Sequence, residues 1–278
     1  MHNHMRTIFN KLVCILSTCL LVAGTATAAE TPTAAAQLQA LANGVHRSAA
    51  QIARNKYRHP VETLTFFGIQ DNMTVVELWP FGGWYTSILA PFLRAHGKYY
   101  AAAIDPDTTN KRDLHYNDEL KKMFAAHPSI YDKVIVTALA PGKKDIAPPG
   151  TADMVLTFRN IHNWHWAKMD KAVFAEAYKA LKPGGILGVV EHRANPGMPS
   201  SASPPHAYVH EDYAIPMIES VGFVLLGKSD INNNPKDTKD YPVWSLPPTY
   251  MNGDKDRAKY KAIGESDRFT LKFMKPVK

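Results

Sequence analysis

Cysteine is nearly absent from this 278-residue sequence: Cys14 and Cys19 are the only two, and both fall within the first 28 residues. The remainder has no disulfide, no thiolate nucleophile and no cysteine-ligated metal. Its 16 glycines and 20 prolines never gather into a linker that would separate two domains. Neither sign of charge dominates, with 32 Lys+Arg against 25 Asp+Glu and a formal net charge of +7. Basic residues come in short pairs such as Lys121-Lys122 and Lys143-Lys144, not in a stripe interleaved with aromatics, so nucleic acid is not an expected partner. Long apolar runs are missing too. The longest, Leu12 to Gly24, has 13 residues, whereas a bilayer-spanning helix needs about 20. What is present is 45% hydrophobic and 10% aromatic residues, the composition of a folded globular protein, which excludes disordered and collagen-like chains.

The opening segment differs from the rest. Arg6 and Lys11 precede the apolar run, and Ala26-Thr27-Ala28 offers small residues at the spacing of a signal-peptidase site. Residues 1–28 are therefore expected to be a signal peptide. Residues 29–278 would form one domain, exported to a periplasmic or extracellular location and without a membrane span.

Beyond the leader, Ala34 to Asn55 reads as one helix with Gly44 as its weak point, and Pro60 opens a second through Phe67. Thr74 to Trp79 is a short apolar run with β-branched residues, followed by Gly82-Gly83 and an amphipathic stretch ending at Gly97. The strand–helix unit then recurs. Strands are predicted at Lys98 to Ile104, Val134 to Ala138, Met154 to Thr157 and Ile186 to Glu191, with helices at Asn110 to Ala126 and Met169 to Leu181. This alternation predicts an α/β, Rossmann-like doubly wound parallel sheet. In the tail, a helix is expected at Glu211 to Val221 despite Pro216, then strands at Phe223 to Ile231 and Phe269 to Met274. With no full crossover between them, these last two predict an antiparallel edge.

In an open parallel sheet, ligands bind at the carboxyl ends of the strands. Here the first strand ends in Glu77 and hands over through Gly82 and Gly83, where backbone can approach a ligand. Asp105 follows the second strand, 22 residues after Gly83, and has two acceptor oxygens for ribose hydroxyls. The Gly-x-Gly-x-x-Gly fingerprint of nicotinamide dehydrogenases is absent.

At these residues the sequence resembles the class I S-adenosylmethionine-dependent methyltransferases, and more narrowly an exported branch of predicted methyltransferases. The resemblance spans nearly the whole chain after the leader. It is carried by Arg58-His59-Pro60, Val76 to Thr86, Asp105-Pro106, Arg159 to Trp164, Leu181 to Gly185 and Ile263 to Arg268. It implies seven strands with an antiparallel last strand, S-adenosylmethionine as cofactor, and a cofactor site including Glu77, Gly82, Gly83 and Asp105. The acid-x-Gly-x-Gly-x-Gly pattern is modified, because Trp79 and Phe81 occupy the first two glycine positions.

The fourth strand ends in Arg159-Asn160-Ile161-His162-Asn163-Trp164-His165-Trp166. Asn160 has donors and acceptors for the cofactor's polar end, His162 is a candidate general base, and the tryptophans can wall a pocket. The fifth strand ends in Glu191-His192-Arg193, where His192 can move a proton and Arg193 can pair with an acidic substrate. His162-x-x-His165 and His206-x-x-x-His210 are the candidate metal spacings, but no His-Glu-x-x-His occurs and no metal is expected. These readings predict methyl transfer to a small-molecule acceptor. The alternative is an exported, non-catalytic ligand-binding protein on the same fold.

Overall fold

The computed structural model describes residues 32–143, 145–198 and 206–277; the expected leader lies outside the described residues. The expected long N-terminal helix is three pieces, α1 (Ala34–Ala42), α2 (Ala49–Ile52) and α3 (Asn55–Arg58). It breaks at Asn43-Gly44, and Ser48 restarts it with a capping box to Gln51. α4 (Pro60–Phe67) has Pro60 in its first turn and stops at Gly68, whose φ of 85° suits glycine.

The alternating body follows as β1 (Thr74–Leu78), α5 (Thr86–Leu93), β2 (Lys98–Ala103), α6 (Lys111–Ala126), α7 (Pro128–Tyr131), β3 (Ile135–Ala138), β4 (Ala152–Phe158), α8 (Ile161–Trp166), α9 (Asp170–Ala180) and β5 (Leu181–His192). The tail adds α10 (Glu211–Glu219), β6 (Val224–Ser229), α11 (Arg257–Ile263) and β7 (Arg268–Met274). Among the described residues, no helix is long and apolar enough to cross a membrane.

The seven strands run in the order β3-β2-β1-β4-β5-β7-β6. β1 to β5 are mutually parallel, and β7 is antiparallel to both of its neighbours. The fold is thus a Rossmann-like sheet with an antiparallel last strand. The expected antiparallel edge is formed by β6 and β7, with β7 between β5 and β6 and β6 outermost.

Side chains alternate across the sheet as strand geometry requires. Val76, Leu78 and Val155 pack into one core with Trp164, Phe174 and Phe269, while Val75, Met154 and Leu156 pack into the other with Leu64, Ile88 and Leu89. Glu77 shares the Val75 face. The sequence of strands reverses direction between β1 and β4, and that reversal opens a crevice at the carboxyl edge.

Candidate functional site

A cavity of about 570 Å³ occupies this crevice. Strand ends contribute Glu77, Arg159 and His192 to its wall, β7 contributes its first residue, Arg268, and Val243, Trp244 and residues 246–249 of the excursion after β6 also line it.

Glu77 is 3% exposed, and its Oε2 accepts hydrogen bonds from Tyr99 Oη at 2.5 Å and Thr86 Oγ1 at 2.9 Å. Burial raises its pKa to about 7, against the opposing pull of those two hydroxyl donors. Gly82 lines the cavity with open space where a Cβ would stand. Gly83 does not line it. At φ 74° a Cβ there would meet Met123 Cε at 2.5 Å, so this glycine lets the turn pack on α6.

Trp79 and Phe81, at the altered glycine positions, take left-handed φ values of 44° and 49°. The Trp79 indole donates to the Leu139 carbonyl at 3.1 Å. Leu139 follows β3, and β2 lies between β1 and β3, so the indole spans the carboxyl end of β2. Phe81 and Tyr116 continue this aromatic wall in edge contact at 4.7 Å. Asp105 stands outside the cavity, which corrects its expected place. It pairs with Lys143 Nζ at 3.1 Å and accepts from the Asp107 backbone N–H at 3.0 Å, and that N–H, more than Lys143, lowers its pKa. Asn160 is likewise off the cavity wall. Its Nδ2 donates to the Leu78 carbonyl at 2.9 Å and to Thr157 Oγ1 at 3.2 Å, pinning the ends of β1 and β4 together, while its buried Oδ1 has no partner among the described residues.

The two candidate histidines do meet. His162 and His192 both line the cavity, with ring centroids 5.4 Å apart. Glu191, fully buried, accepts from four N–H groups: Ile161 N at 2.5 Å, His192 N at 2.8 Å, His162 Nδ1 at 3.1 Å and His162 N at 3.4 Å. This carboxylate caps the start of α8 and fixes the His162 ring. With Nδ1–H donating to Glu191, His162 Nε2 presents its lone pair, which accepts from Asn163 Nδ2 at 3.1 Å. His192 Nδ1 bonds Ser266 Oγ at 2.6 Å. Burial, then the neighbouring His162 and Arg268, hold the His192 pKa well below its ordinary value, so the ring is neutral at pH 7.

His162, Glu191 and His192 also place potential ligand atoms within 4.8 Å of one another, a grouping the sequence spacings did not suggest. The four donors on Glu191 oppose a metal there, because the ion would have to displace them. His165 bonds Asp170 and Tyr213 and is not on the cavity wall. Arg193 turns away as well, pairing with Glu211 at 3.0 Å.

The sequence reading gave no role to a buried cluster of arginines. Arg54, Arg58 and Arg268 all pair with Glu265, at 2.5, 3.0 and 2.6 Å. Although burial raises the Glu265 pKa, these three guanidinium groups hold it well below the usual carboxylate range. The only advance signal was that Arg58, Arg159, Glu265 and Arg268 all belong to segments that carried the family resemblance.

No family model matches the chain, and no curated protein matches it. Among solved structures, it superposes on a SAM-dependent methyltransferase from Aquifex aeolicus with a TM-score of 0.54, at 17% identity over 80% of this chain and 93% of that one. Geranyl diphosphate methyltransferase, solved with GPP and sinefungin, gives a TM-score of 0.53 at 16% identity over 82% of each chain. The cyclase SpnF gives 0.52 at 14% identity over 85% of each. At these identities the likeness is one of fold.

Proposed function

We propose that this chain is an exported enzyme that transfers a methyl group from S-adenosylmethionine to a small acceptor bound in the cavity. The observation that carries the reading is the position of the Glu191–His162 pair, which fixes an imidazole on the cavity wall at the sheet's switch point. The fold shared with methyltransferases supports it.

The residues present fit the amino-acid end of the cofactor. Glu77 offers a carboxyl for an ammonium group, and a cation there would restore its ionised form. Gly82 leaves room for close approach to the loop. When bound, the cofactor supplies an electrophilic methyl on a sulfonium. Once an acceptor hydroxyl replaces Asn163 Nδ2 as its partner, His162 Nε2 takes the hydroxyl proton, and Glu191 steadies the imidazolium that forms. Neutral His192 orients the acceptor as a hydrogen-bond partner. A thiolate or neutral amine acceptor would need only positioning.

The adenosyl end fits less directly, because the Trp79 indole lies over β2 and Asp105 is engaged elsewhere. That observation favours the second reading, an exported ligand-binding protein that uses the same cavity without methyl transfer.

Titration separates the two. Under the first reading, purified protein binds S-adenosylmethionine and S-adenosylhomocysteine in the micromolar range, roughly −8 kcal/mol, and Phe81→Gly preserves or tightens that binding. His162→Gln should lower turnover by about 10²- to 10⁴-fold with cofactor binding intact. Absence of binding in both wild type and Phe81→Gly leaves the ligand-binding reading. For the leader, intact mass of the exported protein should place the N-terminus at Ala29 or Glu30.

A further inference from the structure

The β4–β5–β7 end of the cavity carries more positive charge than it can neutralise internally. Four guanidinium groups, from Arg54, Arg58, Arg159 and Arg268, gather here around one carboxylate, Glu265. Glu265 is already shared by three of them. Arg159 lines the cavity and, among the described residues, makes no side-chain hydrogen bond or ion pair. Arg58 is only 2% exposed, lines the same cavity, and finds no partner for its Nη1 among the described residues. Its guanidinium also lies over the Trp84 ring at 4.6 Å, a contact that holds its plane.

Buried cations without counter-charge are costly, and a forked guanidinium pairs best with a planar or tetrahedral oxyanion. Position then grades this charge along the sheet edge, away from the proposed cofactor loop. Along the sheet edge the order is Glu77 at β1, Arg159 at β4, His192 at β5 and Arg268 at β7. Arg159 stands one strand spacing from Glu77, about 5 Å, and Arg268 three, about 14 Å, with His192 between Arg159 and Arg268. A ligand anchored at the arginines therefore extends back toward His162.

We infer that the ligand of this cavity carries an oxyanion, a carboxylate or a phosphate, seated on Arg159 and Arg58 at the β4–β7 end. If the methyl-transfer reading holds, on which this step rests, that ligand is the acceptor and its opposite end meets His162.

The test is calorimetry on the full protein without cofactor, using inorganic phosphate and benzoate as separate probes. At least one should bind, and the choice between them identifies the anion class. Arg159→Gln should weaken binding about tenfold or more. Because Arg159 makes no side-chain hydrogen bond or ion pair among the described residues and is repelled by Arg268 and Arg54, this variant should melt at or above the wild-type temperature, which separates lost binding from lost structure. Binding should survive saturating S-adenosylhomocysteine.

The inference is overturned if neither probe binds, if folded Arg159→Gln binds as well as wild type, or if S-adenosylhomocysteine displaces the probe, since the guanidiniums would then hold the cofactor's own carboxylate. If S-adenosylhomocysteine fails to bind while Arg159-dependent probe binding persists, the oxyanion site stands and methyl transfer is what falls.

Discussion

Glu77 and Glu265 line one cavity and are almost equally hidden, at 3% and 4% exposure, yet their surroundings drive them in opposite directions. At the β1 end Glu77 accepts from two hydroxyls, and burial outweighs them and the weaker pull of Arg159 to lift its pKa to about 7. At the β7 end Glu265 is shared by Arg54, Arg58 and Arg268, which overcome the same burial and keep it ionised. Burial alone therefore does not fix the charge of a site. One end of the cavity is near neutral and can accept a cation, and the other is cationic and can accept an anion.

The sharpest way to break this contrast is Glu265→Gln, which leaves three buried guanidinium groups without their counter-charge. Stability should fall by about 3–5 kcal/mol in urea denaturation. The sign with pH follows from a depressed pKa. The stabilisation is present above the unfolded value of 4.5 and is lost as pH falls through the lower folded value, so the gap between wild type and variant narrows in acid.

Glu77→Gln should act in the opposite sense. Between pH 4.5 and about 7 the folded state holds a proton that the unfolded state has released, so this group costs stability as pH rises through that window. The slope is at most about 1.4 kcal/mol per pH unit. Melting temperatures measured from pH 4.5 to 8 should show this decline in wild type and a flatter profile in the variant.

Smaller effects sharpen the β1 end. Trp79→Phe removes the hydrogen bond to Leu139 and should lower stability by about 1 kcal/mol, while S-adenosylhomocysteine binds more tightly as space opens over β2. Equal affinity in calorimetry would make the indole a packing element with no bearing on the ligand. Asp105→Asn is the least perturbing change. With its carboxylate at the surface beside Lys143, both the melting point and ligand affinity should stay where they are.

The alternation of strands and helices was legible because β-branched and apolar runs such as Thr74–Leu78 are short, regular and bounded by turn residues. Helix α8 was hidden because its six residues, rich in histidine, asparagine and tryptophan, are too short to show a period. A single helix from Ala34 to Asn55 does not form because α1 ends at Asn43 and the Ser48–Gln51 box starts a new one.

At the site, His162 and His192 could be placed because both follow strands that end at the same edge. Their organiser, Glu191, was not legible, since nothing in a sequence says which of several strand-end acids will accept four N–H groups. The Arg58–Glu265 pair joins residues 207 positions apart, beyond the reach of any local pattern. Asp105 obeyed the spacing rule and still missed the cavity, because the indole that spans β2 comes from Trp79, a side chain the rule treats as glycine.

The interior position of β7 sets the order in which the molecule can be assembled. Strands β1 to β4 can pair as soon as they are made, but β6 touches the sheet only through β7, and β5 gains its second neighbour only from β7. Ribosomal synthesis delivers Arg268–Met274 after all of these, so nascent chains that end before Arg268 should remain protease-sensitive on the β5 side. Arg268 opens that strand and Glu265 lies just before it, so the cationic end of the cavity comes into being in the same late step that closes the sheet.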